Sequence, residues 1–266
     1  MNVTKIKEEL VNDISKLEFI KGIGQTGDIN APLIPGNSDI DIFVIGTKIP
    51  SEEERKQIYT KYKSVYSELM MNVCNGGVWG YGDILLIDGV DVMFMYFTVA
   101  ETNEYLDEVL QGKHISREGE YYPVGRLSTI ENISILYEEN QEWSDMTTKL
   151  KKRPNDLFNK MYEHHMRWVI NDEDLGRALL RREVLYYQTV LENAMDHLLQ
   201  ALYALNSTYF PSRKRIEKYI NGFIYKPENC YERLIKIMEC SVFSDKIPES
   251  VAELRKLTEE IRELKR

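Results

Sequence analysis

Cysteine is scarce in this chain: Cys74, Cys230 and Cys240 are the only three in 266 residues, far apart and in no ligand-like spacing. An odd, scattered set builds neither a disulfide framework nor a zinc site, and it reads as reduced thiols of an intracellular protein. Long apolar runs are missing as well. The most apolar stretch, residues 84 to 99, is broken by Asp88, Gly89 and Asp91, which excludes a transmembrane helix. The first ten residues mix Lys and Glu with single aliphatics and lack the apolar centre of a signal peptide, so the expected compartment is the cytoplasm and no membrane partner is expected. Neither low-complexity tracts nor a repeat of solenoid period is present. Positive charge is also short, with 34 Lys and Arg against 43 Asp and Glu, a formal net charge of −9. An acidic surface repels polyanions, which disfavours extended nucleic acid and suits a small, even cationic, substrate.

What remains is an ordinary globular composition, 43% hydrophobic and 29% charged, long enough for one large domain or two modest ones. Ile6, Leu10, Ile14 and Leu17 recur at helical spacing and predict an amphipathic helix over residues 3–17. Phe19-Ile-Lys-Gly-Ile-Gly-Gln-Thr-Gly-Asp28 reads as a short strand entering a glycine-rich turn. Residues 34–38 read as a second turn, followed by a strand over residues 39–45. Ser51 followed by three glutamates predicts a capped helix running to about residue 72. A glycine-aromatic loop over residues 76–82 follows, and then Asp88-Gly89 between two β-rich runs, a hairpin signal. A helix is expected over 101–110 and a strand over 133–137. Beyond about residue 145 strand signals vanish and helical patterns dominate, notably 179–205 and 251–264. The expected fold class is therefore α+β: a mixed sheet with flanking helices over residues 1–145, then an all-helical domain over 146–266.

The chemistry concentrates in Gly36-Asn-Ser-Asp-Ile-Asp-Ile-Phe-Val44. Strand side chains alternate faces, so Asp39 and Asp41 share one side while Ile40, Ile42 and Val44 share the other. Their Cα atoms lie about 7 Å apart, twice the strand rise, within common reach of one hard cation such as magnesium. A solvated acidic edge would show the same alternation. Upstream, the glycines 22, 24 and 27 suggest a turn whose successive backbone N–H groups suit phosphate oxygens. Their spacing also imitates a dinucleotide-binding fingerprint, but Pro32 and Pro35 follow too soon for the required helix. A third acid, Asp91, interrupts the apolar second strand of the expected hairpin, where an acid is costly unless solvated, paired or metal-bound.

Together these residues resemble the DNA polymerase β-like nucleotidyltransferase superfamily. The glycine turn, the spacing from Gly24 to Asp39, the Ser38-Asp-Ile-Asp41 pair and a later strand aspartate carry the likeness over residues 22–97. The two-part layout is similar to minimal antibiotic nucleotidyltransferases of the kanamycin and lincosamide type. The helical half, around residues 204–215, looks closer to a bacterial nucleotidyltransferase-like family of unassigned function. The resemblance implies transfer of a nucleoside monophosphate from a nucleoside triphosphate to a hydroxyl of a small, aminoglycoside- or lincosamide-like acceptor. It also implies two Mg²⁺ ions held by Asp39, Asp41 and Asp91, and a phosphate grip from Gly22, Gly24, Gln25, Thr26, Gly27 and Ser38. One departure is plain: Gln25 stands where the family places a serine. A protein or tRNA acceptor, or a non-catalytic NTP-binding module, are the competing readings.

In the helical half, Glu183, Glu192 and Asp196 are candidate bases or amine binders, though acids on a helix commonly form a solvated face. Lys214 within Arg213-Lys-Arg215 is the candidate cation for the triphosphate, against the alternative of a charged helix start. His164 and His165 point to different sides of a helix and are expected to be ordinary surface or partly buried residues. Tyr186, Tyr187, Tyr203 and Tyr209 fit core packing better than an acceptor pocket.

Overall fold

Period-two and period-3.6 patterns sort the chain into a sheet-bearing part and a helical part. The computed structural model describes residues 2–119 and 121–265. It divides into two compact units, the first comprising Met1–Glu108 and Thr129–Lys152, the second Val109–Ser128 and Arg153–Arg266. The segment Val109–Ser128, expected with the first half, thus folds with the second.

In chain order the elements are α1 (Val3–Ile14), β1 (Ile20–Gln25), β2 (Asp39–Gly46), α2 (Glu52–Thr60), β3 (Glu68–Asn75), β4 (Tyr81–Ile87) and β5 (Val90–Thr98). Then follow α3 (Val99–Leu110), α4 (Pro123–Glu131), β6 (Ser134–Glu138) and α5 (Glu142–Lys151). The helical unit carries α6 (Asn155–Trp168), α7 (Asp172–Arg181), α8 (Val184–Leu205), α9 (Ile216–Gly222), α10 (Cys230–Ser241) and α11 (Ile247–Glu263). The sheet runs β3-β4-β5-β2-β1-β6. Its central pair, β2 and β5, is parallel, and the other neighbours are antiparallel. The α+β class expected of the chain is therefore what it adopts.

Local chemistry explains the elements. Asn2 caps α1, its side chain accepting from the Lys5 N–H, and Ile6, Leu10 and Ile14 are buried. Ser51 and Glu54 form a reciprocal capping box on α2. Asp88 and Gly89 both take positive φ, 52° and 75°, as a two-residue hairpin turn requires. The helix expected to reach residue 72 stops at Thr60, and Glu68–Asn75 pairs with β4 instead. Leu69 and Met71 of that strand pack against the core, a tertiary gain that overrides the helical pattern. The long helix expected over 179–205 is broken at Arg182, whose φ of 54° ends α7 before α8 begins.

One face of the sheet builds the core. Ile40, Ile42 and Val44 of β2, Val92 and Phe94 of β5, and Leu85 of β4 pack with α1 and with Ile58 and Tyr59 of α2. Each such aliphatic contributes about 1.5–3 kcal/mol by leaving water. A polar network is sealed into the same face. Arg55 lies 3.1 Å from Asp83, and both are almost fully buried. Asp83 also accepts from the Asn72 N–H at 2.9 Å and the Tyr59 hydroxyl at 3.1 Å. Burial pushes the Asp83 carboxyl up, against the pull of those donors and of Arg55.

Candidate functional site

The register of the central strands decides which side chains meet. Asp39 of β2 is the direct partner of Asp91 of β5, and Asp41 is the partner of Met93. Hydrogen-bonded neighbours in register project to the same face, about 4.8 Å apart. Since Ile40, Ile42, Val92 and Phe94 face the core, Asp39, Asp41 and Asp91 all project to the opposite face. Two carboxylates from positions far apart in the chain thus lie side by side, with a third one pleat along. Asp39 and Asp91 are exposed, Asp41 is half-buried. Among the described residues, the Asp39 and Asp91 carboxylates have no hydrogen-bond or ion-pair partner. Like charges directly opposite one another on a sheet are destabilising, and among the described residues neither carboxylate has an ion pair to offset the other.

These donors suit a hard cation: all are carboxylate oxygens, and two of them are unpaired. They are not drawn in around one. Among the described residues no group of three or more His, Cys, Asp or Glu side chains is gathered as a metal cluster. The strands supply donor type and face, and closure on a cation requires side-chain rotation.

The backbone leading into Asp39 is clipped in place. The Gly36 N–H donates to the Gly89 carbonyl at 2.6 Å, tying the loop before β2 to the hairpin turn before Asp91. Ser38 Oγ accepts from the Ile34 N–H at 2.8 Å and closes the same loop.

The glycine segment departs from expectation. Gly22 and Gly24 lie inside β1, paired on one side with Ile45 and Phe43 of β2 and on the other with Glu138 and Ile135 of β6. Their backbones belong to the ladder and form no turn or phosphate nest. Close packing explains the glycines: a Cβ at Gly22 would come within 2.6 Å of Trp143, and one at Gly24 within 2.5 Å of Ile133. Gln25 is a second correction. It pairs with Ile42, so its side chain leaves the core face, away from the aspartates, where its Oε1 accepts from buried Lys7 at 2.9 Å. Burial lowers the Lys7 pKa. Thr26 and Gly27 remain near the carboxylates. The Thr26 N–H donates to the Asp41 carbonyl at 3.0 Å, and Gly27, with φ of 77°, has nothing within 4 Å of where a Cβ would stand. No helix follows Gly27, in keeping with Pro32 and Pro35.

In the helical unit, Lys214 is exposed, its N–H donating to Ser212 Oγ at 3.1 Å. Its neighbour Arg213 is committed, with 2.6 Å to Glu192 and 3.1 Å to Asp196. Asp196 also accepts from Tyr122 at 2.5 Å and Gln200 at 2.9 Å, and Glu192 pairs with Arg117 at 3.1 Å. Two of the three candidate bases are therefore held in an ion-pair cluster that fixes the segment before α4 to α8, while Glu183 stands exposed at the start of α8. Tyr187, Tyr203 and Tyr209 are buried as core, whereas Tyr186 reaches Asp174 at 3.1 Å.

His165 is fully buried, contrary to the surface or partly buried position expected. Its Nε2 lies 3.0 Å from the Ile115 carbonyl and its Nδ1 2.9 Å from Nδ1 of His197. The carbonyl requires a proton on Nε2, so Nδ1 accepts from His197. Burial holds the His165 pKa down to about 3. His164 reaches Ser116 Oγ at 2.9 Å.

With the geometry in hand, three comparisons with known proteins can be placed beside it. A family model described as a domain of unknown function (DUF4037) matches residues 120–215, the span that holds Tyr122, Asp196 and Arg213. No curated protein matches the chain. Among solved structures, the chain is similar to a nucleotidyltransferase-like protein from Exiguobacterium sibiricum 255-15, with 11% identity, a TM-score of 0.46, and 97% of this chain and 75% of that chain covered. It is also similar to spectinomycin adenyltransferase AAD(9) from Enterococcus faecialis, solved with ATP and spectinomycin, with 14% identity, a TM-score of 0.30, and 93% of this chain and 98% of that one covered. At these identities and scores neither neighbour assigns a residue or a substrate to this chain. Among the described residues no helix is long and apolar enough to cross a membrane.

Proposed function

We propose that the chain is a magnesium-dependent nucleotidyltransferase of the cytoplasm, moving a nucleoside monophosphate from a nucleoside triphosphate to a hydroxyl of a small acceptor and releasing pyrophosphate. The observation that carries this reading is the register of Asp39 against Asp91, which sets two unpaired carboxylates side by side on the face that also bears Asp41. Divalent cations, when bound there, supply charge neutralisation on the transferring phosphoryl group. Asp39, Asp41 and Asp91 would hold them. The open Gly27 backbone and Thr26 stand on the β1 side of Asp41, where donors suit the anionic oxygens of the triphosphate tail, and Ser38 lies in the loop tied to the β4–β5 turn. The acceptor oxygen attacks the α-phosphorus, the bond to the bridging oxygen breaks, and in-line displacement places the acceptor opposite the leaving pyrophosphate.

The test is pyrophosphate release and Mg-ATP binding by the full chain and by the Asp39→Asn, Asp41→Asn double variant. Loss of both oxygens' charge should lower turnover by on the order of a thousandfold or more, as for removal of essential electrostatic stabilisation, with thermal stability unchanged or raised. Equal Mg-ATP affinity in the two proteins would sink the reading.

A further inference from the structure

The carboxylates are one end of a longer pattern on the same face. Two rows of side chains cross the sheet from β2 through β5 and β4 to the edge strand β3. The first is Asp39, Asp91, Leu86 and Glu68, each the register partner of the next. The second is Asp41, Met93, Ile84 and Met70, paired in the same way. The opposite face confirms the parity, since Ile40, Val92, Leu85 and Leu69 form the matching row against the core. Beside the aspartates, then, lies a bed of Leu86, Ile84, Met93 and Met70. All four are half-buried, with apolar surface left in reach of solvent. Gly82 makes room for it: a Cβ there would stand 2.8 Å from the Met93 terminal methyl and 3.4 Å from the Cys74 sulfur. Two thioethers, one isoleucine and one leucine give a surface that adapts to an irregular apolar ligand. Glu68 ends the first row, exposed and, among the described residues, without an ion-pair or hydrogen-bond partner.

From this placement we infer that the β5-β4-β3 side of the face is the acceptor bed, and that the acceptor is amphipathic: a hydroxyl at one end, an apolar body, and a cationic group at the other. The inference rests on the nucleotidyltransferase reading for its direction. Thr26 and Gly27 occupy the β1 side of Asp41, and in-line displacement puts the attacking hydroxyl on the other side, over Asp91. From there the body runs across Leu86 and Ile84, and Glu68 meets the cation two strand spacings away, about 9–10 Å. A densely hydroxylated polycation would cover this apolar bed with polar groups that find no partner on it.

The probe is a series of ω-amino alcohols from ethanolamine to 10-aminodecanol, with α,ω-diols of equal length and kanamycin as comparators. With carbon–carbon bonds of about 1.5 Å, chains of roughly six to eight methylenes span the distance. Two readouts are taken on the full chain: pyrophosphate release with Mg-ATP, and shifts of isotope-labelled Met70 and Met93 methyls without nucleotide. The expected result is a length optimum near six to eight methylenes, with kcat/KM at least about tenfold above ethanolamine from methylene burial, and saturable methyl shifts of the same length dependence. Ile84→Asn should flatten that dependence with KM for ATP unchanged. Glu68→Gln should abolish the preference of amino alcohol over diol. Met70→Gln on the edge strand replaces Ile84→Asn if the latter does not fold by circular dichroism. Methyls that do not respond to any chain length, or respond as strongly to kanamycin, overturn the inference. Because the methyl shifts need no nucleotide, a failed bed with intact Mg-ATP binding is distinguishable from failure of the nucleotidyl-transfer reading itself.

Discussion

Asp83 and Asp91 stand on neighbouring strands of one sheet, yet their side chains leave opposite faces and meet opposite conditions. Asp83 is fully buried, with Arg55 at 3.1 Å and donors from Asn72 and Tyr59 around it. Asp91 is exposed, with Asp39 as its register partner and, among the described residues, no ion pair. A carboxylate satisfied by its own chain serves the fold. A pair of carboxylates left open side by side is free to bind something from outside the chain. The contrast separates an acid committed to the fold from acids left open to solvent.

The first of three perturbations tests that separation directly. The largest effect is expected at Asp83. Asp83→Asn leaves the buried Arg55 charge uncompensated and should lower unfolding stability by about 3–5 kcal/mol in urea titrations, whereas Asp91→Asn should leave stability unchanged or raised. Equal stabilities for the two variants would erase the distinction drawn between the faces.

A second, intermediate effect concerns the buried group of the helical unit. His165 has its folded pKa depressed to about 3 by burial, against about 6.5 in an unfolded chain. Above pH 6.5 both states are neutral there and its contribution is full. As pH falls below 6.5 the unfolded state takes up the proton first, so stability falls, by at most about 1.4 kcal/mol per pH unit, until about pH 3. Denaturation curves at pH 7, 6 and 5 should show this decline, and His165→Gln should shallow it. An unaltered slope in the variant would assign the acid sensitivity to other groups.

The smallest effect separates two glycines. Gly24→Ala must displace Ile133 and should cost about 1–3 kcal/mol by overpacking, with ATP binding per folded molecule unaltered. Gly27→Ala meets no neighbour and should cost only about 1 kcal/mol from its left-handed backbone, but should weaken ATP binding. The opposite pattern would return Gly24 to the phosphate grip.

Much of the fold was legible in the sequence because its signals were local. The acidic strand, the Asp88-Gly89 hairpin, the capped α2 and the change to helices all follow from spacing and turn chemistry. Segments set by tertiary partners were not legible. Residues 68–75 read as helix until β4 offered them a strand partner, and Val109–Ser128 joins the helical unit through Tyr122, Arg117 and the histidines, which no linear pattern announces. At the site, the residue types of Asp39, Asp41 and Asp91 were readable, but the side on which Gln25 points was not, because one residue of register decides it. The apolar bed was missed for a related reason: Met70, Ile84 and Met93 are adjacent only across strands. Alternation along each strand could have marked them as sharing a face, but not as sharing it with the aspartates.

The parallel pairing of β2 with β5 has a kinetic corollary. Asp39 and Asp91 lie on strands separated in the chain by α2, β3 and β4, so their pairing closes a long loop. Such non-local contacts are among the slower steps of chain organisation. In a refolding experiment, the pairing that brings Asp39 beside Asp91 should therefore lag behind helix formation.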